Sequence, residues 1–535
     1  MNLKKILKTH IAFIIIFIIL GAYLGIKSFS ESGWSSWYDG IGDAQTLLSA
    51  KHWANDGFFY SKFLAIPIGY SKTVRYLDDP QMRQHAHGTV TGGLIGQRLY
   101  YTHYPSGYSL PYAVFMKLGI SQRHWFRLFA LALSLGSLLL MYLFVNLAFG
   151  KKTAVFSSVY YSISTMFLGY ADSLANQPID DLLRFAILSL SFWVVSRGAD
   201  IRNNHFFNSL IWILYFTLSV SSYDSTLFIF VWLAGLEIVI LKKIPWKKLL
   251  FFGSAPVLGF VLQMFQNWWY LGNWKDVWLD GFGASTAKMQ TGDVLAHLWS
   301  AFRVLDLASG ISIAGTVVVL AIMMFSIFSL QKERVKNFGG LAGLLFLAGF
   351  AYPFIFVGSG GFSYQGKQMM PFVAIVVGVA GSLMFDFKAW KKEKIILVLA
   401  GVIMWSGQIY RTTSFVDDWP NVKTDERVIK LSKDLRSIKE SDNVLFYTGG
   451  KLNINSVTEY YFDMPILKFD KAENLVNDYL WLREHSAFSF NGIIMADGKS
   501  SINEIKNIFI ASNINPEEML SIDGYHILKI NFKKI

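Results

Sequence analysis

Apolar residues arrive along this chain in blocks of roughly 16–25, the length of helix that crosses a hydrocarbon core about 30 Å thick. The blocks predict about 11 spans, at 11–27, 123–149, 153–169, 179–197, 207–221, 225–241, 249–265, 311–329, 338–357, 369–385 and 394–410. From Arg411 the pattern is that of a soluble domain. "DNVLFYTGG" reads as a buried strand ending in a glycine turn, "NINSVTEYYFD" as a helix, and "FNGIIMADG" as a second strand. "SSINEIKNIFIAS" reads as another helix, and "GYHILKINF" alternates as a closing strand. Strands alternating with helices predict a small α/β domain with a mainly parallel sheet. The Gly449–Gly450 pair is read as a turn, with anion binding as the alternative. The expected architecture is a polytopic α-helical membrane protein with a small C-terminal α/β soluble domain. Its domains are 1–410, with a large outer loop at about 28–122, and 411–535. No internal repeat is evident.

Composition supports the membrane reading. Of 535 residues, 53% are hydrophobic and 16% aromatic, more than soluble domains ordinarily carry. The net charge of +12 would raise nucleic acid as a partner in a soluble chain. Here the basic residues sit in short loops and set topology instead. Lys4, Lys5 and Lys8 precede the first span, and Lys151 and Lys152 separate the second and third. Arg197 and Arg202 follow the fourth; Lys242, Lys243, Lys247 and Lys248 follow the sixth. Lys332, Arg334 and Lys336 follow the eighth, and Lys388, Lys391, Lys392 and Lys394 follow the tenth. With alternating spans all of these fall on one side, which the positive-inside rule makes cytoplasmic. The N-terminus is then cytoplasmic and the C-terminal domain outside an inner or plasma membrane. No small-residue cleavage site follows the first span, so it is read as retained. There is no cysteine, which excludes disulfides and thiolate metal sites.

The chemistry-bearing residues cluster on the outer loops. "DGIGDAQTLLSAKHWANDGFF" holds Asp39 and Asp43, with Leu47, Leu48 and Trp53 at helical spacing. It is read as an amphipathic helix lying at the outer interface, starting near Gly42. Asp43 then serves as its N-cap or as a reactive acid. His103, Tyr104 and Pro105 precede a short apolar segment ending near Leu118 that is interfacial or re-entrant. In "YADSLANQPIDDLLRF", Asp180 and Arg184 lie four apart on one helical face, and Asp181 lies three from Arg184. Ionisable groups at a membrane helix are costly and mark either function or an ion pair between helices. Lys367, followed by Gln368, is the one Lys or Arg on the three short outer loops. A lone cation against the positive-inside trend marks either a function or a side chain reaching headgroups. His85, His87 and His103 raise the question of metal, but the His-Ala-His pair would bind zinc only if a third ligand converged. The Trp-rich loop with Trp268, Trp269 and Trp274 is read as an aromatic belt.

An acid soon after the first span, in a helix ending near "DGFF", followed by the "YPSGY" entry to an apolar segment, resembles the GT-C glycosyltransferases. It is similar in particular to the protein O-mannosyltransferase and lipid A aminoarabinose transferase group. The resemblance covers most of 1–410 in topology; the tail lies outside it. It implies an enzyme that takes a sugar from a polyprenyl-phosphate lipid at the outer membrane surface. An acid of the first outer loop is the catalytic base in that group, a role carried here to Asp43, with Asp39 in reserve. The group often reads Asp-Glu-Ala at this place, where this chain has "GDAQ". Asp172 and Asp180 match the group's acid and polar-Pro-Asp entry in the second outer loop. Lys367 matches its phosphate-contacting basic residue. His103, Tyr104, Asp180 and Arg184 are then cavity residues.

The expected reaction is a single displacement of polyprenyl phosphate by a lipid, glycan or protein acceptor. No nucleotide cofactor is expected; a divalent metal is the alternative. The rival readings are a transporter or flippase of lipid-linked sugars and a non-catalytic envelope assembly protein.

Overall fold

The computed structural model describes residues 3–30, 40–66, 100–102, 104–279, 281, 293–330, 335–357, 363–384, 392–417, 426–436, 443–452, 456–464, 466–469, 475, 491–512, 514–522 and 524–530. In chain order the helices are α1 (Leu3–Ser30), α2 (Gly40–Asn55), α3 (Leu110–Lys117), α4 (Arg123–Phe149), α5 (Lys151–Ser162) and α6 (Gln177–Ser196). They continue with α7 (His205–Ser219), α8 (Tyr223–Leu241), α9 (Trp246–Leu271), α10 (Val294–Ser309), α11 (Ile313–Leu330) and α12 (Val335–Ile355). α13 (Gly366–Met384) and α14 (Lys392–Asp417) follow. The last segment holds α15 (Glu426–Arg436), β1 (Asn443–Thr448), α16 (Ser456–Phe462), β2 (Ile466–Phe469), β3 (Asn491–Ala496), α17 (Lys499–Ala511), β4 (Glu517–Ile522) and β5 (Tyr525–Ile530).

Among the described residues eight helices, α1, α4, α8, α9 and α11 to α14, are long and apolar enough to cross a membrane. They coincide with eight of the expected spans. The other three differ for local reasons. The span expected at 153–169 breaks after α5, because Ser164 recaps the chain, its Oγ accepting from the N–H of Phe167 at 3.1 Å. α6 has 20 residues but carries Asp180, Asp181 and Arg184. α7 has only 15 residues, capped by Asn204. In place of one long Trp-rich loop, α9 extends to Leu271 and α10 forms beyond it.

Two compact units make up the chain. The first comprises Met1–Asp39, Gln122–Leu262 and Lys288–Asn421. α13 is buried along nearly its whole length and packs against α5. A Cβ at Gly378 would lie 2.8 Å from the backbone nitrogen of Ser157, so the close approach of these helices requires glycine there. α4 packs along α6, and Trp232 of α8 donates its indole N–H to Ser191 of α6 at 2.9 Å. These contacts hold α6 against α8 and α13 against α5 along their lengths.

The second unit comprises Gly40–Ser121, Gln263–Ala287 and Val422–Ile535. α2 is not an amphipathic interfacial helix: Gly42 through Ala50 are all buried. Several of its polar side chains bond within this unit. Gln45 Nε2 donates to the Ile66 carbonyl at 2.7 Å, and Ser49 Oγ accepts from the Ile66 N–H at 3.0 Å. Trp53 Nε1 donates to Leu64 O at 3.0 Å. α3 and α16 pack against α2, and Lys51 pairs with Asp463 at 2.7 Å.

The sheet order is β2-β1-β3-β5-β4. β2, β1 and β3 are parallel, whereas β3–β5 and β5–β4 are antiparallel. The sheet is therefore mixed, with two strands, β2 and β4, beyond those expected. At the β1 turn, Asp497 Oδ2 accepts from the N–H groups of Gly450 (2.7 Å) and Lys451 (2.9 Å). An internal carboxylate occupies the position that an external anion would take. A Cβ on Gly449 would lie 2.2 Å from that carboxyl.

Candidate functional site

Three helix starts in the first unit carry a buried network of polar and charged side chains. Asp180 and Asp181 lie near the start of α6, Asp224 and Ser225 in the first turn of α8, and Lys367 and Gln368 in that of α13. Helix N-termini carry partial positive charge, which favours the carboxylates at two of these starts and disfavours Lys367 at the third. Asp181 offsets that cost. Its Oδ2 lies 2.6 Å from Lys367 Nζ and accepts from the Tyr161 hydroxyl at 3.2 Å, while its Oδ1 pairs with Arg184 Nη2. Arg184 Nη1 donates to Gln368 Oε1 at 2.9 Å, and Gln368 Nε2 donates to Ser225 Oγ at 3.3 Å. Lys367 Nζ also stands 5.0 Å from the centre of the Tyr170 ring. Gln365 Nε2 donates to Asp224 Oδ2 at 2.6 Å.

The expected ion pair between Asp180 and Arg184 is replaced by Asp181 with Arg184 at i,i+3. Asp180 instead accepts from Asn176 Nδ2 at 2.8 Å, and its Oδ1 is buried without a hydrogen-bond partner among the described residues. Lys367 is 4% exposed, so its ammonium does not reach headgroups. An ammonium has three donors, so pairing with Asp181 is compatible with donation to a further oxygen.

Asp172 is buried elsewhere in this unit. Its Oδ2 accepts from Ser28 Oγ at 2.9 Å and from Arg127 Nε and Nη2 at 2.9 and 2.5 Å. Its Oδ1 is buried with no partner among the described residues. Sequence reading singled out Asp181 only as a neighbour of Arg184, and Arg127, Asp224 and Gln365 were not identified from sequence as site residues. Charge inside an apolar block was a signal for Arg127, in the second span, as it was for Asp181 in the fourth.

In the second unit, α2 begins at Gly40, so Asp43 lies inside its first turn rather than at the N-cap. Asp43 is fully buried. Tyr104 is half-buried just before α3. Asp39, His85, His87 and His103 lie outside the described residues. Among the described residues no group of three His, Cys, Asp or Glu side chains is placed to hold a metal ion.

No family model matches this chain, and no curated protein matches it in sequence. Solved structures do match. ArnT from Cupriavidus metallidurans bound to undecaprenyl phosphate superposes with a TM-score of 0.56 at 10% identity, covering 97% of this chain and 98% of that one. The apo form of the same protein gives 0.53 at 10% identity, with 97% of each chain covered. The oligosaccharyltransferase of Archaeoglobus fulgidus in the apo form gives 0.52 at 10% identity, over 91% of this chain and 69% of that one. At such identity the likeness is one of fold. The chain has the fold of these solved proteins, with eight helices long and apolar enough to cross a membrane among its described residues.

Proposed function

We propose that this chain is a membrane glycosyltransferase that moves a sugar from a polyprenyl-phosphate donor to an acceptor at the outer face of the membrane. The observation that carries this reading is the end-to-end match to ArnT of Cupriavidus metallidurans, solved with undecaprenyl phosphate. The reaction is a single displacement. An acceptor oxygen attacks the anomeric carbon, the bond from that carbon to the phosphate oxygen breaks, and polyprenyl phosphate leaves with the electron pair. Asp43 takes the acceptor proton, assistance worth about 10²–10⁴-fold. Lys367 donates to the leaving phosphate while Asp181 holds its charge in place. Gln368 orients Arg184 beside it. Phosphate is a good leaving group, so the step needs no nucleotide cofactor.

The test is Asp43→Asn. The substitution keeps the size of the side chain at a buried position and removes the proton acceptor. Initial rates with a purified lipid-linked sugar are expected to fall at least about 100-fold, with thermal stability close to that of the parent. Asp39→Asn is the paired control. A near-parental rate in Asp43→Asn with loss in Asp39→Asn moves the base to Asp39. Activity in both removes the first outer loop from the chemistry.

A further inference from the structure

A pocket of about 490 Å³ lies in the first unit, away from the buried network, where α8 ends and α9 begins. Four cations line it, Arg202, Lys243, Lys247 and Lys248, against one acid, Glu237. Lys248 is already engaged, pairing with Glu237 at 2.5 Å and donating to the Arg202 carbonyl at 3.1 Å. Among the described residues no carboxylate lies within 4.0 Å of Arg202, Lys243 or Lys247. The first turn of α9, Trp246 to Lys248, forms part of the wall, and a helix start favours an anion. The pocket is thus built for negative charge.

Its remaining wall is apolar, with Leu241, Ile244 and Trp246 beside the cations. Trp246 is 68% exposed and heads a stripe along α9 formed by Leu250 (76%), Val257 (62%) and Val261 (53%). These positions share one face of a helix that is long and apolar enough to span a membrane. A soluble anion would use the cations and leave this stripe unused. An amphiphile uses both.

We propose that this pocket binds the phosphate headgroup of an anionic membrane phospholipid, with its acyl chains lying along the exposed stripe of α9. The loop that carries Lys242 to Lys248 is one that the positive-inside rule assigns to the cytoplasmic side. The lipid is therefore one of that leaflet, and the site is separate from the donor chemistry proposed at the outer face. Basic pockets between membrane helices recognise such headgroups.

Native mass spectrometry of the full chain in detergent, titrated with phosphatidylglycerol or phosphatidylcholine, tests this. Lys243→Gln with Lys247→Gln is expected to weaken phosphatidylglycerol binding about tenfold, with phosphatidylcholine binding unchanged. Lys151→Gln with Lys152→Gln removes the same charge from another loop and is expected to bind as the parent does. Equal loss in both double variants would show a general charge effect and overturn the site. A thermal-shift arm with inorganic phosphate separates the sources. Protection by phosphate alone equal to that by phosphatidylglycerol would overturn the lipid assignment. Glu237→Gln releases Lys248 and is expected to tighten phosphatidylglycerol binding; unchanged affinity contradicts the proposal even where the lysine variants fail to fold.

Discussion

Lys367 stands in the first turn of α13, where a helix already presents partial positive charge, and it is buried. Such a placement persists because Asp181 binds it and Arg184 together. Removing one partner of a buried pair leaves an uncompensated charge, at a cost of about 3–5 kcal/mol. Asp181→Asn is therefore expected to destabilise the protein by about that amount, read by thermal or denaturant unfolding in detergent. Lys367→Met leaves Asp181 with Arg184 and Tyr161 and is expected to cost less. The double variant is expected to be less destabilised than the sum of the two. Strict additivity would show that Asp181 and Lys367 do not stabilise each other. Sequence showed that Lys367 was a cation out of place, and it showed charge at the start of α6. It did not show which acid Lys367 meets, because that choice depends on how two helices distant in sequence pack. The i,i+4 spacing favoured Asp180 for Arg184, whereas the folded chain uses i,i+3.

The eight long apolar helices were legible because length and composition alone define them. α2 was legible as a helix but not as a buried one. Leu47, Leu48 and Trp53 at helical spacing suggested one apolar face, yet Gln45, Thr46 and Ser49 are buried too, their side chains bonded to backbone groups. The parallel half of the C-terminal sheet followed from strand–helix alternation. The antiparallel β4–β5 hairpin did have a signal, the Asp523–Gly524 pair between two apolar runs. Gly524 has φ +79°, and Ile522 pairs with Tyr525 across the turn. Sidedness is tested element by element. The chain has no cysteine, so single cysteines have no background. Glu504→Cys, exposed on α17, is expected to react with an impermeant maleimide in intact cells. Lys151→Cys, exposed at the start of α5, is expected to react only after permeabilisation. The opposite pattern would invert the orientation and place the proposed chemistry on the wrong face.

At the scale of the whole molecule, the fold matches ArnT over nearly every residue of both chains while sequence identity stays at 10%. Membrane helices tolerate wide apolar substitution, since lipid-facing positions need only be apolar. What fixes the fold is span length, loop charge and a few close approaches such as Gly378 against Ser157. The central claim is that this fold transfers a sugar rather than moving an intact lipid-linked sugar or serving as a scaffold. The direct measurement uses the purified full chain with a donor radiolabelled in the sugar and an acceptor fraction from cell envelopes. The account predicts that label passes to the acceptor and that one polyprenyl phosphate is released per sugar transferred. Donor recovered intact, whether left in place or carried across the bilayer, would contradict it.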